Sequence, residues 1–142
     1  MEIQRHAVMG PYGIQHVCTQ DITVHGVTIP AGTILQGLYA EIFKGDHWED
    51  GMNFRPERFI SENGKIRRDE HFVPFSMGRR KCPGETLART EMFLFFTNLV
   101  NDYHILPEVE GEIPSEKYNH GLTILPLPFK VRLLVRNNSI KT

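Results

Sequence analysis

Cysteine carries the widest chemistry in this chain, and one of its two cysteines sits in unusual company. Cys82 lies within Phe75-Ser-Met-Gly-Arg-Arg-Lys-Cys-Pro-Gly84. It directly precedes a segment with helical periodicity, where free backbone N–H groups and the helix dipole stabilise an anion. Arg79, Arg80 and Lys81 come just before it and favour an anionic sulfur further. Gly78 and Gly84 leave room for a large group to approach the backbone. A thiolate beside glycines and under an aromatic ring, Phe75, can ligate a metal or attack an electrophile. The segment fixes five positions in ten, as F-x-x-G-x-R-x-C-x-G.

Two weaker patterns lie upstream. Glu2-Ile-Gln-Arg5 places an acid and a base at i, i+3, which alone is worth a few tenths of a kcal/mol, roughly 0.2–0.5, on a solvated helix. Phe54-Arg-Pro-Glu-Arg-Phe59 places Arg58 next to a ring in a proline-led turn. In order and spacing the three segments together resemble the cytochrome P450 haem-thiolate monooxygenases: the cysteine-ligand loop, the E-x-x-R helix and the P-E-R-F segment.

That resemblance implies an α+β reading, the C-terminal portion of a mainly helical fold. Its parts would be the end of one helix, small β hairpins, an irregular meander, the cysteine loop, one long helix and C-terminal strands. Residues 1–142 would be part of a single domain, about the last third of a family member. The chain is then expected to be a fragment without the N-terminal membrane anchor, and without the distal helix whose acid–alcohol pair delivers protons, so no catalytic residue is named. The implied cofactor is haem b. Cys82 would be the proximal iron ligand, with Arg80 on a propionate, Phe75 packed near the thiolate, and Gly78 and Gly84 shaping the loop. A thiolate ligand pushes electron density onto iron and favours O–O cleavage. His16 lies where many microsomal members place a propionate-binding histidine, though an ordinary exposed loop histidine fits the same position. Glu2, Arg5 and Arg58 would form a structural charge network beneath the haem. The implied partners are a small apolar substrate and an NADPH-dependent reductase, and the full-length family member would lie at the endoplasmic reticulum membrane. The rival expectation is a truncated, inactive chain that does not hold haem stably.

The elements that must position these residues can be read from patterning. Residues 1–9 read as the last turns of a helix stopped by Gly10-Pro11. Asp21–Val24 and Val27–Ile29 alternate as strands about His25-Gly26, and Thr33–Gln36 resumes after Pro30-Ala31-Gly32. Leu38–Phe43 permits a short helix. A long stretch with little period follows, and its rings Trp48, Phe54, Phe59 and Phe72 argue for packing over disorder. The strongest helix runs over 83–101, with Pro83 at its first position and Glu85 in its first turn. Its stripe of Leu87, Ala88, Met92, Phe95, Phe96, Leu99 and Val100 is that of a core helix. With the family's other helices outside this chain, the stripe is expected to be exposed. Residues 122–136 return to strand character, ending with Lys130–Arg136, and the polar tail 137–142 is expected to fray.

Composition sets the outer bounds. The chain has 142 residues, 40% hydrophobic, with Lys+Arg 16 against Asp+Glu 17 and a net charge of −1. That is a globular composition without the global basic field that nucleic acid attracts. No run nears the ~20 apolar residues of a membrane span. Cys18 and Cys82 permit at most one disulfide, and Cys18 reads as a structural thiol. No C-x-x-C pair exists and the seven histidines lack H-x₃-H spacing, so a zinc site is not expected. Arg67, Arg68, Arg79 and Lys81 would suit an acidic redox partner, or simply a solvated face.

Overall fold

The computed structural model describes residues 1–136, and the tail 137–142 lies outside the described residues. The chain divides into two compact units: Met1–Ser76 with His120–Ile124, and Met77–Asn119 with the chain from Leu125 onward. The architecture is α+β, with two short α-helices, one long α-helix and four two-stranded antiparallel sheets among the described residues.

The first unit opens with α1 (Glu2–Ala7). The helix stops at Ala7 rather than at Gly10-Pro11, because Val8 turns left-handed at φ 41° and its N–H bonds back to Gln4. That conformation is costly for a β-branched residue. Burial offsets the cost, since Val8 belongs to the unit's core. Next come β1 (His16–Val17), β2 (Ile22–Val24), β3 (Val27–Ile29) and β4 (Ile34–Leu35). β2 pairs with β3 in the register Ile22↔Ile29 to Val24↔Val27. His25 at φ 48° and Gly26 at φ 80° make the two-residue turn that matches strand twist. β1 pairs with β4; two residues are too few to show alternation, so the sequence does not reveal β1.

α2 (Tyr39–Lys44) leads into the stretch of weak periodicity, which is ordered around its rings. Val8, Phe43, Trp48, Phe59 and Phe72 form one buried cluster. Phe59 meets Phe72 at 5.1 Å and Trp48 at 5.5 Å between centroids, both within the range of favourable ring pairs. Phe54 stays exposed. A 3₁₀ helix (Pro56–Phe59) carries Arg58 and Phe59 inward. The backbone N–H of Ile124 bonds to the Met9 carbonyl at 2.7 Å, joining 120–124 to this unit.

The second unit begins with a 3₁₀ helix (Gly78–Arg80) and then α3 (Glu85–Asp102). Gly84 is the N-cap, and its carbonyl accepts the Ala88 N–H at 3.0 Å. Pro83 therefore lies ahead of the cap and is not the first helical residue, while Glu85 does open the first turn. β5 (Tyr103–Pro107) pairs along its whole length with β8 (Val131–Val135). β5 follows α3 with no glycine or proline between them, so no punctuation announces it. β6 (Tyr118–Asn119) pairs with β7 (Leu125–Pro126).

No residue of α3 is buried, so the stripe is not the core of these 136 residues. Leu87 is 63% exposed and Phe95 76%. At 3.6 residues per turn, Met92, Phe95, Phe96 and Leu99 share one side. Leu87 and Leu94 lie on the opposite side. A helix apolar on two sides is built for burial on both.

Candidate functional site: a thiol loop and an arginine network

Cys82 is not in a disulfide and is half-buried, between the 3₁₀ turn and the start of α3. Gly78 sits at φ 72°, a conformation that leaves the position to glycine. A Cβ built on Gly84 would stand 3.8 Å from Cys82 Sγ, so the chain passes close beside the sulfur with nothing wedged between. Arg80 is exposed and makes no hydrogen bond or ion pair among the described residues, so its donors are available to an anion. Lys81 lies 4.0 Å from Glu85, whose other oxygen holds Arg89 Nε at 2.8 Å. Part of the positive charge near Cys82 is thus met by that carboxylate. Sulfur, guanidinium and glycines converge on one short loop of the second unit. Phe75, half-buried, and His16, exposed on β1, belong to the first unit.

This loop suits an iron porphyrin on its ligand side. It offers one soft thiol donor that no partner sulfur consumes, a backbone free of side chains at positions 78 and 84, and a guanidinium for a carboxylate.

The first unit holds the second group of residues. Arg5 is 0% exposed, and all five of its N–H hydrogens are placed. Nε and one Nη donate to the two Glu2 oxygens at 2.8 Å each. The remaining hydrogens go to the carbonyls of Phe43, of Gly51 at 2.7 Å and of Asn53 at 3.0 Å. Arg58 Nε reaches Glu2 Oε1 at 3.2 Å, and its other nitrogens take the carbonyls of Glu49, Asp50 and Asn53. Glu2 Oε1 also accepts the Arg55 backbone N–H at 2.8 Å. Two buried guanidiniums face one carboxylate. The excess positive charge is met by five carbonyls and by the Trp48 ring, 5.5 Å from the Arg5 guanidinium carbon and 6.0 Å from that of Arg58.

Electrostatics follow from this packing. Burial pushes the Glu2 carboxyl up. The Arg5 hydrogen bonds, the Arg55 N–H and the charges of Arg5 and Arg58 outweigh it, so Glu2 titrates below its ordinary value. Lys44 is lowered, first by burial and then by the Arg5 charge.

The structure therefore brings Glu2, Arg5 and Arg58 into one hydrogen-bonded group, and Gly78, Arg80, Cys82 and Gly84 into one loop. Sequence reasoning missed the carbonyl acceptors, the Arg55 N–H and the place of Trp48. A signal existed: an irregular stretch leaves its carbonyls unpaired, and buried carbonyls need donors. Arg67 and Arg68 line a cleft they share with Glu49, Glu57, Asp69 and Glu70, so its charge is mixed rather than uniformly basic.

Comparison with known proteins places the chain in a family. The sequence model of the Cytochrome P450 family matches residues 1–133. Cytochrome P450 18a1 of Drosophila melanogaster is 42% identical over 94% of this chain and 25% of its own length. Farnesoate epoxidase of Bombyx mori is 37% identical over 92% of the chain and 27% of its own length. Cytochrome P450 2D14 of Bos taurus is 38% identical over 92% and 26%. The chain belongs to the cytochrome P450 family, whose members are haem-dependent, iron-binding monooxygenases. It spans about a quarter of the length of these relatives, somewhat less than the third expected from the motifs. No helix among the described residues is long and apolar enough to cross a membrane.

Proposed function

We propose that this chain is the haem-ligating, C-terminal part of a cytochrome P450 monooxygenase, with its two compact units belonging to one larger domain. The observation that carries the reading is the free, half-buried Cys82 sulfur at the mouth of α3, flanked by two glycines and an arginine with no side-chain partner among the described residues. When bound, haem b supplies the insertion of one oxygen atom of O₂ into a substrate. The chain's residues do the holding. Cys82 would donate sulfur to iron, and Gly78 and Gly84 would keep side chains out of that approach. Arg80 would neutralise a propionate, and the family resemblance adds His16 for a propionate and Phe75 near the thiolate. Glu2, Arg5 and Arg58 fix the irregular segment and take no part in chemistry. The substrate is a small apolar molecule, the electrons come from an NADPH-dependent reductase, and the full-length protein works at the endoplasmic reticulum membrane.

A second reading is supported by α3, which has no buried residue: alone, the 142 residues hold haem too loosely to turn over. One experiment separates the two. The chain is mixed with haem, reduced and exposed to carbon monoxide. A red-shifted thiolate-type band that disappears in Cys82→Ser supports ligation. Failure of the unaltered chain to retain haem favours the second reading. Retained haem with the same spectrum in Cys82→Ser overturns the assignment of Cys82.

A further inference from the structure

We propose that His47, Asp69 and His71 form a site for a divalent first-row transition metal ion, independent of Cys82 and of haem. The three donor atoms lie within 4.8 Å of one another. His47 Nε2 stands 3.0 Å and His71 Nδ1 3.4 Å from the same oxygen, Asp69 Oδ1. Ligands about 2.1 Å from a zinc ion stand about 3.4 Å apart at a tetrahedral angle and about 3.0 Å apart at a right angle. Each imidazole nitrogen thus already stands at a ligand-to-ligand spacing from the Asp69 oxygen.

The supporting contacts favour the same arrangement. The two imidazoles stack with centroids 3.6 Å apart and planes 29° apart, so neither ring is placed independently of the other. The His71 backbone N–H donates to Asp69 Oδ1 at 2.9 Å, and the Trp48 ring meets His47 edge-on at 5.2 Å. The carboxylate is mostly covered and the imidazoles are 40% and 45% exposed, so an ion can enter and keep water in its remaining positions. Two imidazoles and one carboxylate suit zinc, copper or nickel better than calcium or magnesium. The ligands come from positions 47, 69 and 71, a separation that no short spacing motif covers, so the histidine spacing that argued against zinc does not reach it. An ion here would clip the two ends of the irregular segment, Trp48 through Asp69, into one loop.

The test uses the 142-residue chain with Cys82→Ser, so that the accessible thiol does not compete for the metal. Calorimetric titration with zinc chloride should give one ion per chain. His47→Ala, Asp69→Ala and His71→Ala should each weaken binding about 10-fold or more, and His16→Ala should leave it unchanged. Imidazole ¹⁵N resonances give a second measurement that needs no ligand substitution: zinc should shift His47 Nε2 and His71 Nδ1 and leave His16 in place. Absence of one-to-one binding, binding that persists in the His47→Ala, His71→Ala double variant, or equal shifts at His16 overturns the site.

Discussion

The two units of this chain invert the usual relation between regular structure and burial. The second unit holds the longest helix and the longest strand pair, α3 and β5–β8, yet none of its described residues is buried. The first unit is mostly turns and irregular chain, yet it holds every buried side chain among the described residues, three of them charged. Hydrogen-bonded helices and strands do not by themselves make a core. In the first unit a ring cluster, the fully engaged Arg5 guanidinium and the four hydrogen bonds of Arg58 close an irregular loop on itself. In the second, the thiol loop precedes a helix with apolar residues exposed on two sides.

Substitutions can break or sharpen that contrast. The largest effect is expected from Arg5→Ala, which strips Glu2 of its two-pronged partner and leaves the Phe43 and Gly51 carbonyls without their donor. Breaking a buried pair in this way costs about 3–5 kcal/mol. Hydrogen exchange should then accelerate across Met1–Ser76 while the amides of α3 keep their rates; equal acceleration in both units would erase the distinction. Acid should act on the same side. The Glu2 pKa is lowered on folding, so its stabilisation is whole above its ordinary 4.5 and is lost as pH falls through the lower folded value. Denaturation of the first unit followed from pH 6 to 2 should show that acid limb, and Glu2→Gln should flatten it.

A smaller loss is expected from Gly51→Ala. Its Cβ would stand 2.6 Å from the Lys44 carbonyl oxygen, and relieving such overpacking costs about 1–3 kcal/mol. The midpoint of urea unfolding measures it. The smallest effect belongs to the second unit. Phe95→Ala on α3 should change the stability of this chain by less than about 0.5 kcal/mol, as surface substitutions do. The same substitution in a full-length protein that buries α3 should cost about 3–5 kcal/mol, and urea melts of the two chains compare them directly.

Much of this was legible in the sequence where the determinant was local. The β2–β3 hairpin follows from alternation around a glycine turn, and the loop before α3 from one dense motif. The end of α1 was not legible, because the left-handed turn at Val8 is set by where Val8 packs, and no neighbouring residue encodes that. Pro83 misled because Gly84 takes the cap. The triad Glu2, Arg5 and Arg58 came from a family resemblance. Its acceptors at Phe43, Gly51 and Asn53 are backbone atoms, which carry no residue-type signature. His47 and His71 escaped for a related reason, since the aromatic cluster that brings them together is a long-range contact.

Trp48 packs beside Arg5 and Arg58 in the first unit, and it is the chain's one tryptophan. Ultraviolet excitation at the red edge of protein absorption therefore interrogates a single place. Emission from this molecule reports the opening of the guanidinium cluster against which that ring packs.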